Sequence, residues 1–270
     1  IGLNCTIVVE YAPIAPSAAD NDTLLIDYND GAVAQQSTRD VTGIAVAPAS
    51  LSISESDPYS YGTLATGSSS AHVFVVTNGG GYQASAISEI GLAAPFSFTG
   101  GSFPGTGGDC TPTLNPGANC NIEIQYAPSL VNALDTDTIN LQYNDGVVTQ
   151  NATRDVSGTA VTPASITITD GPLYDYGTVA VGATVTHVFT LTNAGSFTAS
   201  TISEIGLAAP FAFSGGSFPG SAGTCTTSLT GGASCNIEVA YSPTATGALA
   251  DTISIQYNDG ASTVTSDRDV

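Results

Sequence analysis

The sequence has no lysine, no tryptophan and no methionine, and arginine occurs only three times. Against these cations stand 23 acidic residues, which give a formal net charge of -20. Such a negative field repels phosphate groups, so the composition excludes nucleic-acid binding and disfavours docking on anionic membranes. No apolar run approaches the ~20 residues that cross a bilayer, so no membrane insertion is expected.

Charge is scarce, but apolar residues are not. Only 10 % of the residues are charged, whereas 42 % are hydrophobic. A chain of this composition can bury a core and is not a disordered acidic tail. Since there is neither an initiator methionine nor a signal peptide, we expect a mature or excised piece of a longer protein.

Internal repetition organises the sequence. A ten-residue motif with cysteine second and proline last occurs three times at a spacing of 115 residues, at 4–13, 119–128 and 234–243. A Tyr-Asn-Asp-Gly motif recurs in the same way at 28–31, 143–146 and 257–260, with the last copy one residue short. Self-similarity at a fixed period is typical of repeat proteins, so we predict a tandem array with a period of about 115 residues.

The register of the repeats predicts three regions. Residues 47–161 form a complete unit, residues 162–270 a near-complete unit, and residues 1–46 only the last third of one. A third of a small β domain exposes its apolar faces and should not fold alone. Either a longer chain completes it, which we favour, or strands come from an identical chain and build a homopolymer by complementation.

Within a unit the hydrophobic period is two. Ile122, Ile124 and Tyr126 alternate with polar residues, as expected for half-buried antiparallel strands. Residues 73–77 are apolar almost throughout, which predicts a strand buried on both faces. Seven or so short strands per unit, separated by turns rich in Gly, Pro and Asn, predict an all-β fold of tandem immunoglobulin-like antiparallel sandwiches.

A run of motifs points to a family. Residues 176–182 read Tyr-Gly-Thr-Val-Ala-Val-Gly, followed by His187 through Asn193, by Pro210-Phe211, and by the segment from Gly223 to Pro243. This run resembles the choice-of-anchor D repeats of bacterial surface proteins, which are similar to the Ig-like domains of abnormal spindle protein and hydin. The resemblance implies an extracellular, non-catalytic, all-β repeat in a long secreted or wall-associated protein, and it implies no ligand.

The cysteines predict structural disulfides. Cys110 and Cys120 are ten residues apart, as are Cys225 and Cys235, and each pair flanks a loop rich in small residues. A metal site is the alternative, but CxxC spacing and clustered histidines are lacking. Cys5 is the odd cysteine, because the repeat places its partner ten residues upstream of the sequence; it is expected to be unpaired or to have its partner in another chain. Disulfides in each unit indicate an oxidising compartment, so the protein is expected to be secreted or on the cell surface.

Acidic residues cluster near the predicted hairpins and could supply the oxygen ligands that Ca²⁺ needs. The candidates for such a calcium site are Asp20, Asp22, Asp30, Asp135, Asp137, Asp145, Asp251 and Asp259. Asp is also a common turn residue, and no known calcium motif is present, so solvated turn residues are the favoured interpretation and no other cofactor is expected.

The arginines share one repeat position, in the tripeptide Arg-Asp-Val: Arg39, Arg154 and Arg268. One cation per unit predicts a structural role, in which the guanidinium holds carboxylates or carbonyls together. His72 and His187 also share a repeat position. A catalytic histidine would need its own nucleophile and orienting acid, so this duplication favours an ordinary strand residue.

These observations predict a structural extracellular protein, a stalk, filament or adhesin shaft, whose partners are neighbouring repeats of the same or identical chains. The alternative is a cell-surface binding module that recognises a glycan or a protein through its end loops. Residues 95–103, with three phenylalanines, are the candidate surface for that alternative, although alternating core phenylalanines are the simpler interpretation. No catalytic residues are predicted.

Overall fold

The computed structural model describes residues 4–270 and is all-β, with eighteen strands and one short 3-10 turn at Thr99–Gly101 in this part of the chain. The first two strands, β1 (Ser17–Asn29) and β2 (Ala34–Ala45), form an antiparallel hairpin that is a sheet of its own. The predicted region 1–46 includes three residues that lie outside the described residues.

The first sandwich contains eight strands. They are β3 (Leu51–Ile53), β4 (Tyr59–Ala65), β5 (Ser70–Asn78), β6 (Ser85–Glu89), β7 (Phe96–Phe98), β8 (Asn119–Tyr126), β9 (Asn132–Asn144) and β10 (Thr149–Val161). One sheet has the order β3-β5-β8-β7 and the other the order β4-β10-β9-β6. All pairs are antiparallel except β4 with β10, which is parallel.

The second sandwich also contains eight strands. They are β11 (Ile166–Ile168), β12 (Val185–Asn193), β13 (Ala199–Glu204), β14 (Phe211–Phe213), β15 (Ser228–Leu229), β16 (Ser234–Tyr241), β17 (Thr252–Asn258) and β18 (Thr263–Asp269). Its sheets have the orders β11-β12-β16-β14 and β15-β13-β17-β18. The sheet with β17 and β18 has no counterpart of β4.

Each sandwich has its own hydrophobic core. In the first, Phe74, Ile122 and Leu141 come from facing sheets and are fully buried; in the second, Phe189 and Ile237 occupy corresponding places. Burial of each side chain of this size stabilises the folded state by roughly 1.5–3 kcal/mol. The alternation of apolar and polar residues along β8 and β9 brings this about, because side chains of a strand point to opposite faces in turn.

One strand prediction is wrong. The apolar run at residues 73–77 was expected to be buried on both faces, but β5 is fully buried on one face only. Phe74 and Val76 lie in the core, whereas Val73 is 39 % exposed. No further layer covers the outer face of this sheet among the described residues, so composition alone overstated the burial of the strand.

The hairpin turns follow from their Asn-Asp-Gly sequences. Between β9 and β10, the Asn144 side chain accepts a hydrogen bond from the amide of Gly146, and Asp145 accepts from the next two amides. Gly146 has a φ of 99°, which glycine adopts without steric cost. The predicted tight turn is therefore present, with its side chains replacing backbone partners.

Candidate functional site

Two disulfides pin equivalent loops. Cys110 is bonded to Cys120 and Cys225 to Cys235, each with a sequence separation of ten. Both bonds tie the start of a central strand, β8 or β16, to the loop before it. Cys5 is a free, exposed cysteine.

Two of the three arginines hold strands together. The Arg154 guanidinium donates to the carbonyl oxygen of Ile53 at 2.6 Å and lies 3.6 Å from the Asp57 carboxylate. Arg268 donates in the same way to the carbonyl of Ile168. Each bond joins the final strand of its sandwich, β10 or β18, to the first strand of the facing sheet, β3 or β11.

Arg39 occupies the same repeat position on β2, but its side chain is exposed. No ion pair with Arg39 is found within residues 4–270. The hairpin lacks a strand equivalent to β3 or β11, and therefore lacks the carbonyl that the other two arginines contact.

The histidines stack on tyrosines. His72 lies 4.1 Å from the Tyr59 ring and His187 lies 3.8 Å from the Tyr174 ring, with the planes nearly parallel. His187 Nε2 is 2.9 Å from the Asp170 carboxylate, and this hydrogen bond lowers the pKa of Asp170. Each histidine thus packs against a tyrosine of its own sandwich.

Three of the proposed calcium ligands are turn residues. In each hairpin one Asp oxygen accepts hydrogen bonds from the amides two and three residues on, at Asp30, Asp145 and Asp259. These amides lower the pKa values of Asp30 and Asp145. Amide donors favour the ionised carboxylate, so the charge is compensated by the turn itself.

The other acidic candidates also have protein donors. Asp20 accepts from the Tyr11 hydroxyl and Asp135 from the Tyr126 hydroxyl, both at 2.6 Å. Asp137 and Asp251 accept from the loop amides of Ala93 and Ala208, and Asp22 accepts from the amide of Thr23. Within residues 4–270 no three acidic, histidine or cysteine side chains converge on one point. These acids form groups along the sequence, but in the folded chain their carboxylates accept hydrogen bonds from different donors.

Sequence analysis missed two buried polar anchors. Asn78 is fully buried, and its amide donates to the carbonyls of Tyr82 and Leu114; Asn193 does the same in the second sandwich. The Tyr143 hydroxyl accepts from the amide of Leu51, 92 residues away. Only the recurrence of Thr-Asn at one repeat position could have indicated the first, and nothing local indicates the second.

The phenylalanine segment is part of the core. Phe96 and Phe98 are buried, and Phe103 packs against the same cluster. The candidate surface of the binding alternative is therefore not presented to solvent by its aromatic rings.

The parallel pair in the first sandwich builds a distinctive site. Residues 157–161 of β10 lie between β4 on one side and the start of β9 on the other. A side chain at Gly158 would place its Cβ 2.5 Å from the Tyr126 ring. Ala65 of β4 and Ala160 of β10 are almost completely buried.

The second sandwich has a groove at the equivalent place. It encloses about 650 Å³ between residues 174–181 and residues 245–250, with Tyr241 at its floor and Val270 at one end. We call it the C-terminal groove. Neither flanking segment is a strand, although their counterparts in the first sandwich are.

The N-terminal hairpin exposes residues that are core residues elsewhere. Tyr28 is 51 % exposed, whereas Tyr143 at the same repeat position is 5 % exposed. Ile26 of the hairpin and Val9, which precedes it, are likewise exposed, although Leu141 and Ile124 at the same repeat positions are fully buried.

Among residues 4–270 no helix has the length and apolar character to cross a membrane.

Several solved structures are similar over part of their length. The VesB protease of Vibrio cholerae is 16 % identical, with 42 % of this chain and 32 % of that chain covered and a TM-score of 0.31. The PapD-like domain 7 of human CEP192 is 15 % identical, with 42 % of this chain and 85 % of that one covered and a TM-score of 0.29.

Titin domains I67–I69, in a variant structure, are 12 % identical, with 83 % of this chain and 65 % of that one covered and a TM-score of 0.33. Similarities at this level carry no argument about function. No curated protein sequence matches the chain.

A family model matches residues 165–267, and its description is HYDIN/CFA65/VesB-like, Ig-like domain. The match agrees with the resemblance to hydin-type domains that the sequence motifs indicated, while the narrower choice-of-anchor D assignment stays a prediction. The second sandwich of this all-β chain is therefore similar to the Ig-like domains of the HYDIN/CFA65/VesB type.

Proposed function

We propose that the chain is a non-catalytic structural segment of an extracellular repeat protein, a stalk, filament or adhesin shaft built from Ig-like units of about 115 residues. The observation that carries this proposal is the link between the two sandwiches, residues 162–165, which is held by contacts with the second sandwich. The two disulfides fit an oxidising compartment, where such proteins occur.

The link is held by the second sandwich. The Thr162 carbonyl accepts from the amide of Phe197, and the Thr162 hydroxyl accepts from the amide of Ser196, both at 3.0 Å. A Cβ at Gly195 would lie 1.9 Å from the carbonyl oxygen of Pro163. A link in such close contact transmits force and orientation between units, which a flexible tether does not.

The two sandwiches also touch beyond the link. The hairpin turn at Gly260 lies against Ala65 at the end of β4, since a Cβ on this glycine would be 2.8 Å from the Ala65 Cβ. The turn of one unit thus rests on the end of the unit before it, as expected for an end-to-end array.

The distribution of charged groups supports a scaffold. The histidines and their acidic partners occur once in each sandwich at matching positions. A formal charge of -20 keeps neighbouring molecules apart and so favours solubility over lateral aggregation.

Single-molecule stretching of the full chain, held at its two ends, tests the proposal. Two separate unfolding events are expected, each releasing roughly 350 Å, because an extended chain spans about 3.3 Å per residue and each unit has about 110 residues. Gradual extension at low force, or a single event for both sandwiches, would contradict load-bearing by independent units.

The link is tested by small-angle scattering of Gly195→Ala. The added methyl group collides with the carbonyl of Pro163, so the packed link should loosen and the distribution of molecular dimensions should broaden. Gly79→Ala is the control, since its Cβ has 3.9 Å of clearance and the second sandwich already has Ala194 there. Equal scattering from both variants would show that the packed link does not set the arrangement of the sandwiches.

A further inference from the structure

We propose that the C-terminal groove is the seat of one parallel β-strand of the type Gly-x-Ala-Val, which runs on directly from Val270. The inference rests on a comparison of the two sandwiches and does not require that the chain be a shaft. Its chemistry is β-strand addition, in which main-chain hydrogen bonds supply affinity and side-chain pockets supply specificity.

The first sandwich shows the occupied form of the site. Residues 157–161 pair in parallel with β4, with Thr159 opposite Thr63 and Val161 opposite Ala65. On the other edge the same segment pairs antiparallel with β9. Residues 157–161 therefore hydrogen-bond to a neighbouring strand on each side.

In the second sandwich this ladder begins and then stops. Leu173 and Asp269 form a parallel bridge, and the amide of Tyr174 donates to the carbonyl of Asp269 at 2.9 Å. On the other side, Val270 and Asp251 exchange two backbone hydrogen bonds of 2.9 Å. Val270 thus stands where Val156 stands in the first sandwich, with both partners in register for the next residue.

The floor and the far end of the groove match the occupied site. The Tyr176 hydroxyl donates to the Val239 carbonyl at 3.0 Å, as Tyr61 donates to Ile124 at 2.8 Å. At the far end the amide of Gly182 donates to the Pro243 carbonyl at 2.9 Å. The amide of Gly67 makes the same bond to Pro128. Only the two walls differ, because neither has a strand to pair with.

The shape of the groove selects the occupant. The second residue after Val270 must be glycine. The Tyr241 ring occupies the position in the second sandwich that the Tyr126 ring occupies next to Gly158 in the first. Alanine follows two residues later, matching the buried Ala160. A strand continuous with Val270 is favoured over residues 42–48 of a second copy, because β2 would have to pass through the space that β18 occupies.

The test extends the full chain by seven residues, Ser-Gly-Thr-Ala-Val-Thr-Pro, the sequence of residues 157–163, placed after Val270. Hydrogen exchange of the amides in residues 174–181 is measured with and without the extension. The amide of Val181 is the sharpest probe, because its counterpart at Thr66 donates to the carbonyl of Val161 at 2.9 Å. We expect exchange in this segment to slow about tenfold or more, while residues 59–65 exchange at an unchanged rate.

The matched control is the same extension with its glycine replaced by valine, which should give no protection because the side chain meets the tyrosine ring. Equal protection by both extensions, or no protection by either, would overturn the proposal. A third arm adds the seven-residue peptide in solution. Protection by the free peptide as strong as that by the joined strand would overturn the requirement for continuity with Val270.

Discussion

The two sandwiches share most of their strand pairing, their disulfide and their stacked histidine, yet the segments beside the C-terminal groove are strands only in the first sandwich. Residues 59–65 read Tyr-Ser-Tyr-Gly-Thr-Leu-Ala and form β4, whereas residues 174–180 read Tyr-Asp-Tyr-Gly-Thr-Val-Ala and form no strand. Five of the seven residues are identical, so propensity does not explain the difference. A neighbour does: β10 pairs with β4, and no described segment pairs with residues 174–180.

A second contrast lies between hairpins of the same sequence type. The hairpin of β9 and β10 is enclosed by β4, β6 and a facing sheet, whereas β1 and β2 pair only with each other. The apolar side chains of the isolated hairpin remain exposed. Similar sequences are thus core in one context and surface in the other.

The largest effect should come from blocking the inserted strand of the first sandwich. Gly158→Val places a branched side chain where even a Cβ would lie 2.5 Å from the Tyr126 ring. Overpacking of this kind should reduce the free energy of unfolding of the first sandwich by about 3 kcal/mol. Chemical denaturation measures it. Thr153→Val, on the exposed side of β10, is the control. If Gly158→Val unfolds like the original chain, then residues 157–161 are not needed to close the sandwich.

Removing a disulfide comes next. The double variant Cys110→Ser with Cys120→Ser frees a loop of ten residues and should destabilise the first sandwich by roughly 2–3 kcal/mol, mainly by raising the entropy of the unfolded chain. The pair Cys225→Ser with Cys235→Ser should have the same effect on the second sandwich. Cys5→Ser, at the free and exposed cysteine, should change neither. Unequal effects of the two pairs in denaturation curves would break the equivalence of the sandwiches.

The arginines form a graded series. Arg154→Ala leaves the carbonyl of Ile53 without its donor and should destabilise the first sandwich by about 2 kcal/mol. Asp57→Asn should cost no more than about 0.5 kcal/mol, since this carboxylate is exposed and its ion pair is screened by water. Arg39→Ala should leave the unfolding curve unchanged. A loss as large at Arg39 as at Arg154 would show that the hairpin has a partner for its arginine.

The smallest expected effect is on the stability of the fold at low pH. Turn amides lower the folded-state pKa of Asp145, so its carboxylate stabilises the hairpin above the pKa of the unfolded chain. That contribution disappears as the pH falls through the lower, folded-state pKa. Asp145→Asn should therefore flatten the acid limb of the stability curve and leave its shape near neutral pH unchanged. Carboxyl titrations by NMR should show Asp30 and Asp145 below the ordinary Asp range; an ordinary midpoint at Asp145 contradicts the prediction.

Much of the fold follows from local pattern. The alternation in β8, the paired cysteines and the Asn-Asp-Gly turns can be recognised along the chain, because each rests on contacts between residues near in sequence or on a fixed side-chain period. The contact of Tyr143 with Leu51 cannot be recognised in this way, since the two residues meet only after both sheets have assembled.

The site residues divide along the same line. The sequence predicted carbonyl or carboxylate partners for the arginines. Which partner each one has depends on strand packing: Arg154 contacts the Ile53 carbonyl because β3 packs beside β10, whereas Arg39 has no ion pair within residues 4–270. The acids near the hairpins were adjacent in sequence, yet their carboxylates point to separate amides and hydroxyls. Proximity along the chain does not determine convergence in space.

By itself, the sequence determined that this protein is all-β, which residues form its turns and which cysteines share a loop, because strand period, turn chemistry and loop length are local properties. Tertiary structure alone decided which edges are paired. Main-chain hydrogen bonds between strands carry no side-chain signature, so the parallel pairing of β4 with β10 and the groove beside residues 174–181 are recognised only when the strands are placed in space.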